Sequence, residues 1–132
     1  MGVDLWRSVD QSGNSAEATR RNAIAEGVAD RVELQTADIT ALPLEDDSFD
    51  VVVSSWAIHN IRGRAGREKA ISEAVRVLRP GGRMMIADFR ATRQHQAQLA
   101  KLGMKDVARR RLGWRLLRLT HLVTATKPER PM

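Results

Sequence analysis

The sequence predicts an α/β fold: a mostly parallel sheet, layered with helices and closed by an antiparallel hairpin at the carboxyl end. Three observations predict it. Phe49-Asp50-Val51-Val52-Val53 is short, apolar and β-branched, with nothing polar alternating through Val51–Val53. That is the pattern of a parallel strand covered on both faces. Strand-like and helix-like segments alternate along the chain, which favours right-handed crossovers and helices on both faces of the sheet. Finally, Asp4, Asp38, Ser54-Ser55 and Asp88 each fall at the carboxyl end of a predicted strand. In an open α/β sheet, ligands bind outside that edge.

The elements follow in order. Met1 to Leu5 reads as the tail of a very short strand that ends in an acid, Asp4, and Trp6 to Gly13 as a polar loop. Asn14 and Ser15 are good helix caps, and Asn14 with Glu17 has capping-box spacing. The helix runs to about Glu26, with Gly27 as its stop. Arg31 to Ala37 is a strand, followed by Asp38. Ile39 to Ser48 is a loop holding Pro43 and Glu45-Asp46-Asp47. After the Phe49–Val53 strand, Trp56 to Arg62 forms a helical turn, and a helix then runs to about Leu78. Its Ala70, Ile71, Ala74, Val75 and Leu78 share one face. Arg79-Pro80-Gly81-Gly82 breaks the chain hard. Arg83 to Ala87 is a strand ending at Asp88, and Thr92 to Leu102 is a helix. Met104 to Leu112 and Leu116 to Thr126 form the antiparallel pair. Residues 1–126 make one domain and 127–132 a frayed tail.

Composition narrows the class. At 132 residues with 42% hydrophobic content, the chain is one domain at most. It has no Cys, which excludes disulfides and thiolate metal sites. No apolar run is long enough to span a bilayer, and the start lacks a signal-peptide pattern, so the expected location is cytoplasmic. The net charge of +6 concentrates late, in KDVARRRLGWRLLR from Lys105 to Arg118. Nucleic acid or an anionic membrane surface would suit such a cluster. A solvated face on terminal strands explains it more simply, and nucleic acid is not the expected partner. His59, His95 and His121 lie far apart in sequence and nothing groups them as a metal site. Glu45 to Asp47 reads as a solvated acidic loop, and no metal is expected.

Three blocks carry a resemblance: GVDLW, TADITALPLEDDSFDVVVSSWAIHNI, and EAVRVLRPGG followed by RMMIADF. In this order and spacing they resemble the class I S-adenosylmethionine-dependent methyltransferases, in particular the broad small-molecule group. The resemblance spans Gly2 to about Phe89 and implies a Rossmann-like fold, S-adenosyl-L-methionine as cofactor and a small-molecule substrate. Residue by residue, it gives Asp4 the ribose hydroxyls, for which a two-oxygen acceptor is suited. It gives Asp38 the adenine amino group, with Ile39 against the ring. Trp6 packs on the adenosine, or is an ordinary core or surface Trp. Ser55 and Trp56 match the segment passing the sulfonium and methyl group. His59 stands beside them as a candidate general base. Methyl transfer also proceeds by alignment alone, and the weight for His59 falls on packing or orienting a loop. Asp88 touches substrate or caps the following helix, with the structural role favoured.

The resemblance also marks what this sequence lacks. The family's first strand and its glycine-rich loop, which approaches the methionine end of the cofactor, have no counterpart here. In the family that strand is central, lying between the second and the fourth. The expectation is therefore an amino-terminally truncated methyltransferase whose activity alone is in question. The rival readings are a non-catalytic remnant of the fold, a basic nucleic-acid-binding module, and a nicotinamide-dependent dehydrogenase. The LPLEDDSFDVVVSS and LRPGG blocks argue against the last.

Overall fold

A computed structural model of the chain describes residues 1–7, 13–113 and 119–131. The chain divides into two compact units, Met1–Leu42 and Pro43–Met132.

In the first unit, β1 (Gly2–Asp4) pairs in parallel with β2 (Leu34–Thr36), with Asp4 opposite Thr36. Helix α1 (Ala16–Ala25) connects them through a short 3-10 turn at Ala29–Arg31. Ser15, not Asn14, caps α1: its Oγ accepts from the Ala18 N–H at 3.0 Å. Asn14 instead turns its amide to Asp4 and to the Arg7 carbonyl. Gly27, at φ +71, ends the helix region as expected. Residues 8–12 of the predicted polar loop lie outside the described residues.

In the second unit, β3 (Phe49–Ser55), β4 (Leu78–Asp88), β5 (Lys105–Arg111) and β6 (His121–Thr126) form one sheet in the order β3-β4-β6-β5. β3 and β4 are parallel, while β4–β6 and β5–β6 are antiparallel. This is the mixed α/β sheet the sequence predicts, with its closing hairpin. The junction from Trp114 to Arg118 lies outside the described residues, and with it the start of the predicted Leu116–Thr126 strand. Helices α2 (Arg64–Val77) and α3 (Thr92–Lys101) pack on each other, α2 against β4 and α3 against β5 and β6. The core comprises Ile71, Leu78, Met84, Ile86, Leu99 and Val123, all nearly or fully buried.

The expectation that Val51–Val53 is covered on both faces fails. Along β4, Gly82, Met84, Ile86 and Asp88 are buried while Arg83 is exposed and Met85 and Ala87 are half-buried. The side chains of a strand alternate, so among the described residues of this unit α2 and α3 cover one face of the sheet. Val52, opposite Met84, shares that face. Val51 and Val53, opposite Arg83 and Met85, are 51% and 67% exposed. The apolar run correctly marks a strand suited to two-sided burial, but the described residues cover one side.

The Arg79–Gly82 break also takes a different form. β4 begins at Leu78, directly after α2, and the four residues form a bulge inside the strand. Phe49 pairs with Leu78, yet Val51 already pairs with Arg83. Gly82 is required by close approach, since a Cβ there would meet the Arg79 carbonyl oxygen and Leu78 Cδ1 at 2.7 Å. Residues 127–131 are not frayed. Lys127 Nζ donates to Asp47 Oδ1 and to the Val75 and Leu78 carbonyls, and Arg130 also pairs with Asp47. Among the described residues no helix is long and apolar enough to cross a membrane.

Candidate active site

Parallel pairing places the strand-ending residues. In the first unit, Asp4 closes β1, and the Ala37 N–H donates to the Asp4 carbonyl at 3.1 Å. Asp38 follows one residue later, so both acids stand at the carboxyl edge of this two-stranded sheet. The Asp4 carboxylate accepts from the Trp6 N–H at 3.0 Å and, more weakly, from Asn14 Nδ2 at 3.4 Å. Those two bonds leave lone-pair capacity on both oxygens. Beside it opens a cavity of about 320 Å³, lined among others by Asp4, Trp6, Gly13, Asn14, Thr19 and Asn22. An acceptor-rich carboxylate on a polar cavity fits a vicinal diol, as the ribose role requires. Trp6 holds the left-handed conformation, φ 60, and its Nε1 donates to Thr36 Oγ1 at 3.0 Å. The ring is thereby fixed across the ends of both strands. Asp38 builds an Asx turn, its Oδ1 accepting from the Thr40 N–H at 2.8 Å and the Thr40 hydroxyl at 2.7 Å. Ile39, beside it, is half-buried.

In the second unit, Ser54 and Ser55 end β3, with Ser55 opposite Ala87 of β4. The ladder continues for one bond, from the Trp56 N–H to the Ala87 carbonyl at 2.8 Å. Trp56 then adopts φ 52, an uncommon conformation for a bulky side chain. This turns the chain off the sheet and leaves Trp56 45% exposed. A single 3-10 turn, Ile58–Asn60, follows, anchored by buried Ile58. The Trp56 and Phe89 rings meet edge to face at 5.0 Å, and the His59 and Phe89 rings at 4.5 Å. Arg90 lies 5.4 Å from the Phe89 ring centre.

His59 brings Asp88 into the site. Asp88 ends β4 and is fully buried. Its Oδ1 accepts from the Phe89 N–H at 3.1 Å and lies 2.5 Å from His59 Nδ1. Its Oδ2 accepts from the His59 N–H at 3.0 Å and lies 3.2 Å from His95 Nε2. A buried carboxylate demands such partners, because an unpaired one is heavily penalised. His95 is itself fully buried in the first turn of α3. His121 pairs with Asp88 in the β4–β6 register. His59 and His95, dispersed in sequence, therefore converge on one carboxylate. The available signal was helical spacing: His95, Gln98 and Leu99 fall on the buried stripe of α3.

Taken together these features define a Rossmann-like class I methyltransferase fold. The family model described as a methyltransferase domain matches residues 5–86, and the chain belongs to that family. S-adenosyl-L-methionine is the methyl donor that goes with it. GfsG, a methyltransferase of Streptomyces halstedii, is 41% identical over 83 residues, covering 63% of this chain and 29% of GfsG. The ubiquinone/menaquinone biosynthesis C-methyltransferase UbiE of Brucella anthropi is 41% identical over 100 residues, covering 67% of this chain and 37% of UbiE. The crystal structure of an S-adenosylmethionine-dependent methyltransferase from Methanosarcina mazei superimposes with a TM-score of 0.70 at 14% identity, covering 98% of this chain and 82% of that one. At that identity the likeness is one of fold. The matches to GfsG and UbiE span well under half of either relative.

Proposed function

We propose that the chain is the carboxyl-terminal part of an S-adenosyl-L-methionine-dependent methyltransferase acting on a small molecule in the cytoplasm. Asp4 takes the ribose hydroxyls, Asp38 and Ile39 the adenine, and Trp6 packs on the adenosine. Ser55 and Trp56 pass the methyl-donating end, and His59 serves as base toward the acceptor. The donor supplies an activated methyl group on a sulfonium, and the protein's part is chiefly proximity and orientation. The observation that carries this reading is the shared carboxyl edge of Asp4 and Asp38 within residues matched to the family, or immediately beside them.

An upstream strand and glycine-rich loop complete the site on this reading. Two features support it: Val51 and Val53 stand open on β3, and among the described residues β1–β2 is a sheet of two short strands. Such pairs are marginal by themselves. On β5, Arg109 is tied to Thr92 Oγ1 of α3, while exposed Arg110 and Arg111 act as solvated charge on an edge strand, which discourages edge-to-edge pairing and calls for no nucleic-acid partner.

The test is calorimetric titration with S-adenosylhomocysteine of a chain carrying the upstream segment, with and without Asp4→Ala. Binding that weakens by roughly one to two decades in the variant is expected, the worth of a charge-assisted hydrogen bond. No binding by the extended chain would favour the second reading, a non-catalytic remnant of the fold. Binding indifferent to Asp4→Ala would remove Asp4 from the site.

A further inference from the structure

We propose that Asp88, pinned from behind by His95, is a positioning residue that holds His59 in one tautomer. In that tautomer the proton is on Nδ1 and Nε2 is a bare acceptor. This deepens the proposed function and rests on it, because it assigns the state of the candidate base.

Ionised, Asp88 only accepts, and it is met by two backbone N–H groups and two ring nitrogens. Each oxygen takes one backbone N–H and faces one imidazole. A bare ring nitrogen 2.5 Å from a carboxylate oxygen would set lone pair against lone pair. His59 therefore carries its proton on Nδ1. The same reasoning puts the His95 proton on Nε2. Both Nδ1 atoms are buried: His59 Nδ1 lies 2.5 Å from Asp88 Oδ1 outside regular hydrogen-bond geometry, and His95 Nδ1 has no hydrogen-bond partner among the described residues. In the neutral Nε2–H ring that atom is a bare nitrogen. The arrangement thereby avoids the greater penalty of a stranded N–H.

The consequence is directional. His59 Nδ1 faces the carboxylate, Phe89 lies against the ring, and no hydrogen bond among the described residues engages Nε2. An isolated imidazole favours the opposite tautomer, so Asp88 reverses the intrinsic preference. The acceptor such a site serves is a nucleophile bearing a proton. As the nucleophile's electron pair bonds to the methyl carbon, the carbon–sulfur bond breaks and its pair stays on sulfur, leaving a neutral thioether. The nucleophile's proton passes to Nε2, and the resulting imidazolium faces the Asp88 carboxylate. Asp88 touches neither reactant and acts through His59.

The test is long-range nitrogen–proton correlation NMR on the chain with 15N-labelled histidine, at neutral pH. Signals are assigned by His59→Gln and His95→Gln. In the wild type, His59 is expected to show a protonated Nδ1 and a bare Nε2, and His95 the reverse. In Asp88→Asn, His59 is expected to shift toward the Nε2–H form. A wild-type His59 protonated on Nε2, or on both nitrogens, overturns the proposal. So does a His95 protonated on Nδ1, or a folded Asp88→Asn chain with His59 unchanged. The wild-type spectrum decides even if Asp88→Asn fails to fold. A failed cofactor titration would remove the methyltransferase reading and leave these ring states standing. A failed spectrum would do the opposite.

Discussion

Asp88 has no exposure and sits where two backbone N–H groups, one after β4 and one from the 3-10 turn, and two imidazoles converge. Replacing it with Ala strands donors in the interior. Losing one member of a buried charged cluster typically costs about 3–5 kcal/mol. Asp88→Ala should lower stability by that amount in urea unfolding, and a loss under about 1 kcal/mol would contradict the hub described here. At this scale the sequence was readable only where a residue ends a strand. Asp4, Asp38 and Asp88 could be placed because each ends or follows a predicted strand. His95 could not be tied to Asp88, since their contact depends on how α3 returns over the sheet. Asn14 and Ser15 are both good caps by composition. The structure separates them because Asn14 is drawn to Asp4.

Elements show which sequence signals survive folding. Most strands and helices were legible in the described residues, because apolar period and Gly or Pro punctuation agree, but the predicted Arg31–Ala37 strand is only Leu34–Thr36, with Arg31 in a 3-10 turn. The Arg79–Gly82 stretch was legible as a break but not as a bulge, since pairing register is a property of two strands. Gly82→Ala tests the bulge. The added carbon meets a backbone oxygen and a leucine methyl at 2.7 Å. Such overpacking costs about 1–3 kcal/mol, and an unchanged urea midpoint would show that the bulge relaxes freely. The carboxyl-terminal strap, read as frayed, is held through Asp47. The hydrogen bond from Lys127, aided by the charges of Lys127 and Arg130, draws the Asp47 carboxyl below its ordinary value of 3.8 despite some opposing desolvation. A carboxyl lowered by folding stabilises the fold above the unfolded-state value. That contribution disappears as pH falls through the folded value, because the unfolded chain takes up the proton first. Asp47→Asn should therefore reduce stability at neutral pH and soften the decline below about pH 4. Parallel stability–pH curves for variant and wild type would count against the strap.

For the whole molecule, the open face of β3 matters most. The run Val51–Val53 announces burial on both sides, and the second cover is absent from the described residues. On the proposal that an upstream segment supplies it, Val53→Ser should change the stability of the present chain by no more than about 0.5 kcal/mol. In a chain with the segment restored it should cost about 1–3 kcal/mol, the worth of burying an aliphatic side chain. Equal effects in both would argue that nothing packs there. The family was legible from three sequence blocks because each encodes backbone geometry as well as chemistry. The acceptor was not, because the chain carries no block specific to one substrate.

Titration of the 132-residue chain with S-adenosyl-L-methionine, beside a version carrying the upstream segment, tests the central claim most directly. Micromolar affinity requires about 8 kcal/mol. Charge-assisted bonds at Asp4 and Asp38 contribute about 1.5–3 kcal/mol each and leave a deficit. The account predicts no low-micromolar binding by the present chain and clear binding by the extended one. Low-micromolar binding by the present chain alone would contradict it.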